Sequence, residues 1–133
     1  MASEKNTEMN HLLLASLGGA IGAGLRFLVG SVAIRFMGVS FPWATLFVNV
    51  VGSLLMGILI GILARRTGTP NEVRIFLATG ILGGFTTFSA FSLDAINLWE
   101  RGESLVASGY VLASVIFSLF ALFIGLMIVR SIA

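Results

Sequence analysis

The chain has no cysteine, so neither disulfides nor thiol chemistry can operate. It has one histidine, His11, which excludes a zinc site of the usual Cys/His type. Charge is scarce: 11% of the 133 residues are charged, against about 25% in an ordinary soluble domain. Hydrophobic residues make up 57% and the mean hydropathy is +1.03. So little charge cannot cover so much apolar surface in water. A soluble enzyme, a disordered tail and a disulfide scaffold are excluded, and an integral membrane protein of one domain remains.

What charge there is punctuates the chain. The net charge is +2 and the pI about 9.9, from 8 basic residues that lie mostly near the ends of apolar runs. Basic residues so placed anchor and orient membrane spans rather than bind nucleic acid. They delimit four runs, each long enough for a bilayer core of roughly 20 helical residues. The expected spans are 12–35, 43–64, 72–98 and 104–130. A β-barrel would need alternating polarity. Leu54-Leu55-Met56-Gly57-Ile58-Leu59-Ile60 does not alternate, so the fold class is all-α with four transmembrane helices. Residues 1–11 form a polar tail, expected to be disordered or interfacial, and residues 12–133 the membrane domain. The tail carries Glu4 and Glu8 beside Lys5, and the apolar run continues past any small-residue cleavage site. This favours a retained span over a signal peptide.

Short loops make consecutive helices antiparallel neighbours. Lys5, Arg65, Arg66, Arg74 and Arg130 fall on the side of the N-terminus; Arg35, Arg101 and Arg26 fall on or lean toward the other. Five against three weakly favours a cytoplasmic N-terminus. The bias is small enough to permit insertion both ways. Small residues recur four apart at Gly18/Gly22, Ala20/Gly24, Ser53/Gly57/Gly61, Gly80/Gly84 and Ser114/Ser118, a spacing that lets helix backbones approach closely in lipid.

The third run is the informative one. It reads Thr79-Gly80-Ile81-Leu82-Gly83-Gly84-Phe85-Thr86-Thr87-Phe88-Ser89-Ala90-Phe91-Ser92. Glycine is a poor helix former, so the Gly83-Gly84 pair marks a break near mid-membrane, with close helix packing as the alternative. A break frees backbone groups, tolerated only where protein or a site covers them. Phe85, Phe88 and Phe91 recur every three residues, and so do Thr86, Ser89 and Ser92. A helix would carry them as an aromatic stripe beside a hydroxyl stripe. Ring edges are partially positive and hydroxyls donate hydrogen bonds. Together they could hold a small, strongly hydrated anion and still release it. Asn49 lies near the middle of the second span and brings an amide donor. Tyr110 and Ser114, four apart, share a face of the fourth. Arg26 is the only basic residue well inside a run. It can snorkel to the interface or stand at a pore mouth.

In these segments the sequence resembles the CrcB/Fluc family of fluoride channels. The resemblance covers nearly the whole chain after the tail. It rests on Gly18 to Phe27, on Thr45-Leu46-Phe47-Val48-Asn49, and above all on Gly83 to Ser92. The resemblance implies an antiparallel, dual-topology homodimer with two fluoride pores in the cell inner membrane. Asn49, Phe88 and Phe91 would line the pore. Ser89, Thr87, Tyr110 and Ser114 would belong to its polar track, with Arg26 a candidate for its mouth. A structural, non-transported sodium ion (Na+) would sit on the dimer axis, bound by the backbone carbonyls of Gly83 and Thr86. The implied function is passive export of fluoride, which lowers its toxicity. Phe85, Ala90 and Asp94 depart from the family's usual Leu, Thr and Glu. The alternative of a small four-span, dual-topology exporter of drugs or other cations needs a membrane-embedded carboxylate. No Asp or Glu lies deep in any span, since Asp94 is near an end.

Overall fold

The computed structural model describes residues 1–132 as an all-α protein with four membrane-length helical segments. The first, α1, is Ala2–Met37. The second, α2, is Trp43–Arg65. The third segment, Asn71–Glu100, is divided. Its first half (71–85, here α3) winds from an α turn, Asn71–Arg74, through a π-helical stretch, Ile75–Leu82, to a last α turn, Gly83–Phe85. Its second half, α4, is Phe88–Glu100. The last helix, α5, is Ser104–Ser131. The four segments are apolar and long enough to cross a membrane, and the first extends well beyond that length at the N-terminus.

There the polar tail is helical. At 1.5 Å per residue α1 is about 54 Å long, far more than the roughly 30 Å of a hydrocarbon core. Residues 2–11 continue the helix beyond it. Helix propagation from an existing span costs no new nucleus, so the polar tail follows the span.

The connections are short. Gly38 ends α1 at φ 76, a left-handed angle that glycine adopts without strain, and its N–H returns to the Ile34 carbonyl at 3.0 Å. Gly102, at φ 80, turns the chain between α4 and α5. Arg101 ties the two loops at that end together: it donates to the Ser40 carbonyl at 2.7 Å and pairs with Glu103 at 2.9 Å.

Glycines set the packing partners. Gly57 on α2 sits against the Leu122 carbonyl of α5, and Gly125 on α5 against the Leu54 carbonyl of α2. Any Cβ there would drive into backbone. Gly18 and Gly22 on α1 meet Gly80, Ile81 and Phe85 of α3, and Gly84 meets Gly19. Thus α2 pairs chiefly with α5, and α1 with the first half of the third span. Gly24 meets nothing within 4 Å and Ala20 is exposed, so that small-residue pair does not pack within the chain.

Candidate functional site

The chain leaves helical geometry at Thr86 and Thr87, where ψ is 159 and 121. This corrects the expected place of the break. Gly83 and Gly84 remain helical, and Gly84 serves close packing against α1. The break falls two residues later, for an identifiable reason. Asn49 on α2 replaces a peptide partner. Its Oδ1 accepts from the Thr87 N–H at 2.7 Å and its Nδ2 donates to the Thr87 carbonyl at 2.9 Å. An amide side chain thereby satisfies one residue's donor and acceptor together. Thr87 then caps α4, its Oγ1 accepting from the Ala90 N–H at 3.1 Å.

What stays unpaired is polarised. No hydrogen bond among the described residues ends on the carbonyls of Gly83 or Thr86, and none begins at the N–H groups of Phe88 or Ser89. The C-terminal end of α3 therefore offers carbonyl oxygens, which suit a hard cation. The N-terminal end of α4 offers amides at the positive end of a 13-residue helix, which suits an anion. The donor set fits a sodium ion held by backbone oxygens. No cluster of three or more His, Asp or Glu side chains suited to a metal occurs among the described residues.

Beside the break lies an open groove of about 400 Å³, lined by Asn49, Thr87, Phe88, Phe91 and Ser114 among others. Five residues singled out from the sequence thus meet on one surface, although three separate segments supply them. Phe88 and Phe91 lie 5.5 Å apart between ring centroids, tilted by 48°. Phe91 is buried, whereas Phe88 is 78% exposed. Ser114 is 4% exposed, and its Oγ is buried without a hydrogen-bond partner. One of the two Asn49 amide hydrogens is engaged by Thr87, and the other is left for the groove.

The two stripes do not survive as drawn. The break puts Phe85 on α3, buried beside Gly52, away from Phe88 and Phe91. Thr86 Oγ1 donates to the Leu82 carbonyl at 3.0 Å and Ser92 Oγ to the Phe88 carbonyl at 2.9 Å, so both hydroxyls are engaged by their own backbone. Ser89 stays within 3.3 Å of Thr87 Oγ1 but does not line the groove.

Tyr110 sits behind Phe91, with ring centroids 5.5 Å apart, and is 1% exposed. Phe41 meets it edge-on. Its hydroxyl donates to Asp94 Oδ2 at 3.3 Å. From the sequence, Asp94 lies near the end of its span. It is half-buried, and it lines a second groove of about 250 Å³ with Thr45, Asn97 and Arg101. Nothing in the sequence pattern joins Asp94 to Tyr110, sixteen residues on. Arg26 lines a third groove of about 380 Å³, shared with Thr45, Thr87 and Ala90. Thr87 thus borders both this groove and that of the phenylalanines.

A family model described as "CrcB-like protein, Camphor Resistance (CrcB)" matches residues 13–126. A protein of Mesorhizobium japonicum named fluoride-specific ion channel FluC is 59% identical over 123 residues, covering 92% of this chain and 98% of the relative. A FluC of Chelativorans sp. is 59% identical over 124 residues, covering 93% and 99%. One of Rhizobium meliloti is 51% identical over 123 residues, covering 92% and 98%. With four apolar helices, this similarity makes the protein a multi-pass protein of the bacterial inner membrane. A match over most of the chain, with relatives of this identity across their whole length, establishes that it belongs to the CrcB family.

Proposed function

We propose that this protein is a fluoride-specific channel that lets fluoride leave the cytoplasm passively. It is not an enzyme: its relatives are named as ion channels. The observation that carries the reading is the groove at the break, where neutral hydrogen-bond donors stand beside phenyl rings. Asn49, Ser114 and the free amides of the break can donate, and Phe88 and Phe91 present ring edges. No basic side chain lines that groove. A formal cation would attract fluoride but also hold it, whereas neutral donors replace its water and release it.

Hydrogen fluoride crosses a bilayer uncharged and dissociates in a neutral cytoplasm, where the ion is trapped. The membrane potential, negative inside, then drives fluoride outward through any open anion path. Thr87 and Ser89 continue the hydroxyl path on one flank, and Tyr110 orders Phe91 from behind. Arg26 stands in the adjoining groove, where it would raise the local concentration of anions at the mouth.

The functional unit is an antiparallel dimer of two copies, each completing the other's pores. The exposure of Phe88 supports this, since a pore residue needs a second wall. The small excess of basic residues on one side is compatible with both orientations. Gly83 and Thr86 carbonyls from both copies would hold a structural sodium ion. When bound, the ion neutralises carbonyl dipoles otherwise unpaired in hydrocarbon.

The test is reconstitution into liposomes with a fluoride electrode. Fluoride efflux without matching chloride efflux is expected, and sodium removed from both sides should abolish it. Equal chloride flux would refute the selectivity. Flux indifferent to sodium would refute the role of Gly83 and Thr86.

A further inference from the structure

At the end of the protein that carries the N-terminus, a groove of about 750 Å³ opens between α2 and α3, beneath the loop that joins them. Its walls are aliphatic: Ile62 and Leu63 come from α2, Val73 and Leu77 from α3. Its rim is basic, formed by Arg65 and Arg66. A 23-residue helix rises about 34 Å, so its last residue lies at the membrane–water boundary. The groove therefore has apolar walls at acyl-chain depth and two guanidinium groups at headgroup depth.

No Asp or Glu lines the groove, and no carboxylate pairs with Arg65 or Arg66 among the described residues. Glu72, the acidic residue closest in sequence to the loop, faces His11 of α1 at 3.7 Å. Arg65 is held in place, its Nη2 donating to the Arg130 carbonyl at 3.1 Å. The Arg66 side chain is exposed and makes no hydrogen bond among the described residues. Complementing the C-terminal dipole of α2 would account for one basic residue but not for a second beside an apolar cleft.

We propose that this groove is a binding site for one anionic phospholipid, its phosphate on Arg65 and Arg66 and an acyl chain along Ile62, Leu63, Val73 and Leu77. Guanidinium forks match phosphate oxygens in pairs, and basic pockets between membrane helices hold acidic headgroups. The aliphatic walls distinguish the ligand from a free phosphate, which would gain nothing from them. This inference rests on the groove and its charges and is independent of what the channel conducts.

The test uses the full chain, purified in detergent and stripped of lipid. Native mass spectrometry then follows binding of dioleoylphosphatidylglycerol against dioleoylphosphatidylcholine. The wild type should prefer the anionic lipid by about thirtyfold, the order expected from two basic groups near a headgroup. R65Q/R66Q should bring the preference to about parity. R35Q, which removes a charge at the opposite end, should leave it intact. R65K/R66K keeps the charge and should keep most of the preference. L63N should weaken phosphatidylglycerol binding while leaving both arginines in place. Should R65Q/R66Q not fold, the lysine pair and L63N decide the matter. An unchanged preference in R65Q/R66Q would overturn the proposal, as would displacement of the lipid by millimolar glycerol 3-phosphate or indifference to L63N.

Discussion

The two halves of the third span are built on opposite terms. In α3 the glycines Gly80 and Gly84 press backbone to backbone against α1, and the winding widens to a π-helix as they do. At these two positions there is no room for a side chain. In α4 the chain is an ordinary capped α-helix, with Phe88 exposed and Ser89 free of its own backbone. One half anchors, and the other presents chemistry. The Thr86–Thr87 break lets one segment do both, because the two halves need not share a rotational register. Asn49 holds them in place by bonding both sides of one peptide residue.

The comparison is broken most severely on the anchoring half. Gly80→Leu would push its Cβ to 2.8 Å from the Gly18 Cα, where neither backbone can yield. Folded protein should be lost, seen as absence of the native peak in size-exclusion chromatography. Next comes the hinge. Asn49→Leu leaves the Thr87 N–H and carbonyl unpaired, at about 1–3 kcal/mol for each group. Unfolding in denaturing detergent should shift accordingly, and fluoride flux should fall with it. Asn49→Asp keeps the acceptor for the Thr87 N–H but not the donor and should fall between. On the presenting half, Thr87→Val removes the cap of α4 and should cost about 1 kcal/mol in the same assay. Tyr110→Phe removes one long hydrogen bond to Asp94 and should cost about 0.5–1.5 kcal/mol, with Phe91 still packed. The smallest effect sharpens the contrast between glycines. Gly24 meets nothing, so Gly24→Ala should be neutral or stabilising by up to about 1 kcal/mol.

Much of the architecture was legible in the sequence because the bilayer sets it. Apolar runs bounded by charge gave the spans, and Gly38, Gly68 and Gly102 fall in the loops between them. Helix partners were harder to read. Lipid-facing and buried positions are equally apolar, so periodicity does not show that α2 packs on α5. The pair Ala121/Gly125, also four apart, was not singled out, yet Gly125 is nearly as close to backbone as Gly57. The break was assigned to the glycine pair from propensity, but propensity does not include Asn49, which makes the extended conformation of Thr87 favourable. The Phe85–Phe88–Phe91 stripe failed for the same reason, since a period holds only within one continuous helix. The helical tail was missed because polarity excludes residues 2–11 from lipid but not from a helix. Asp94 and Tyr110 meet only through the α4–α5 turn.

The central claim is that the phenyl edges of Phe88 and Phe91, beside neutral donors, carry fluoride through the membrane. Fluoride efflux from liposomes bearing Phe88→Ile/Phe91→Ile tests it most directly, with the elution profile confirming a folded protein. Efflux should fall to that of protein-free liposomes. Efflux equal to that of the wild type would contradict the claim.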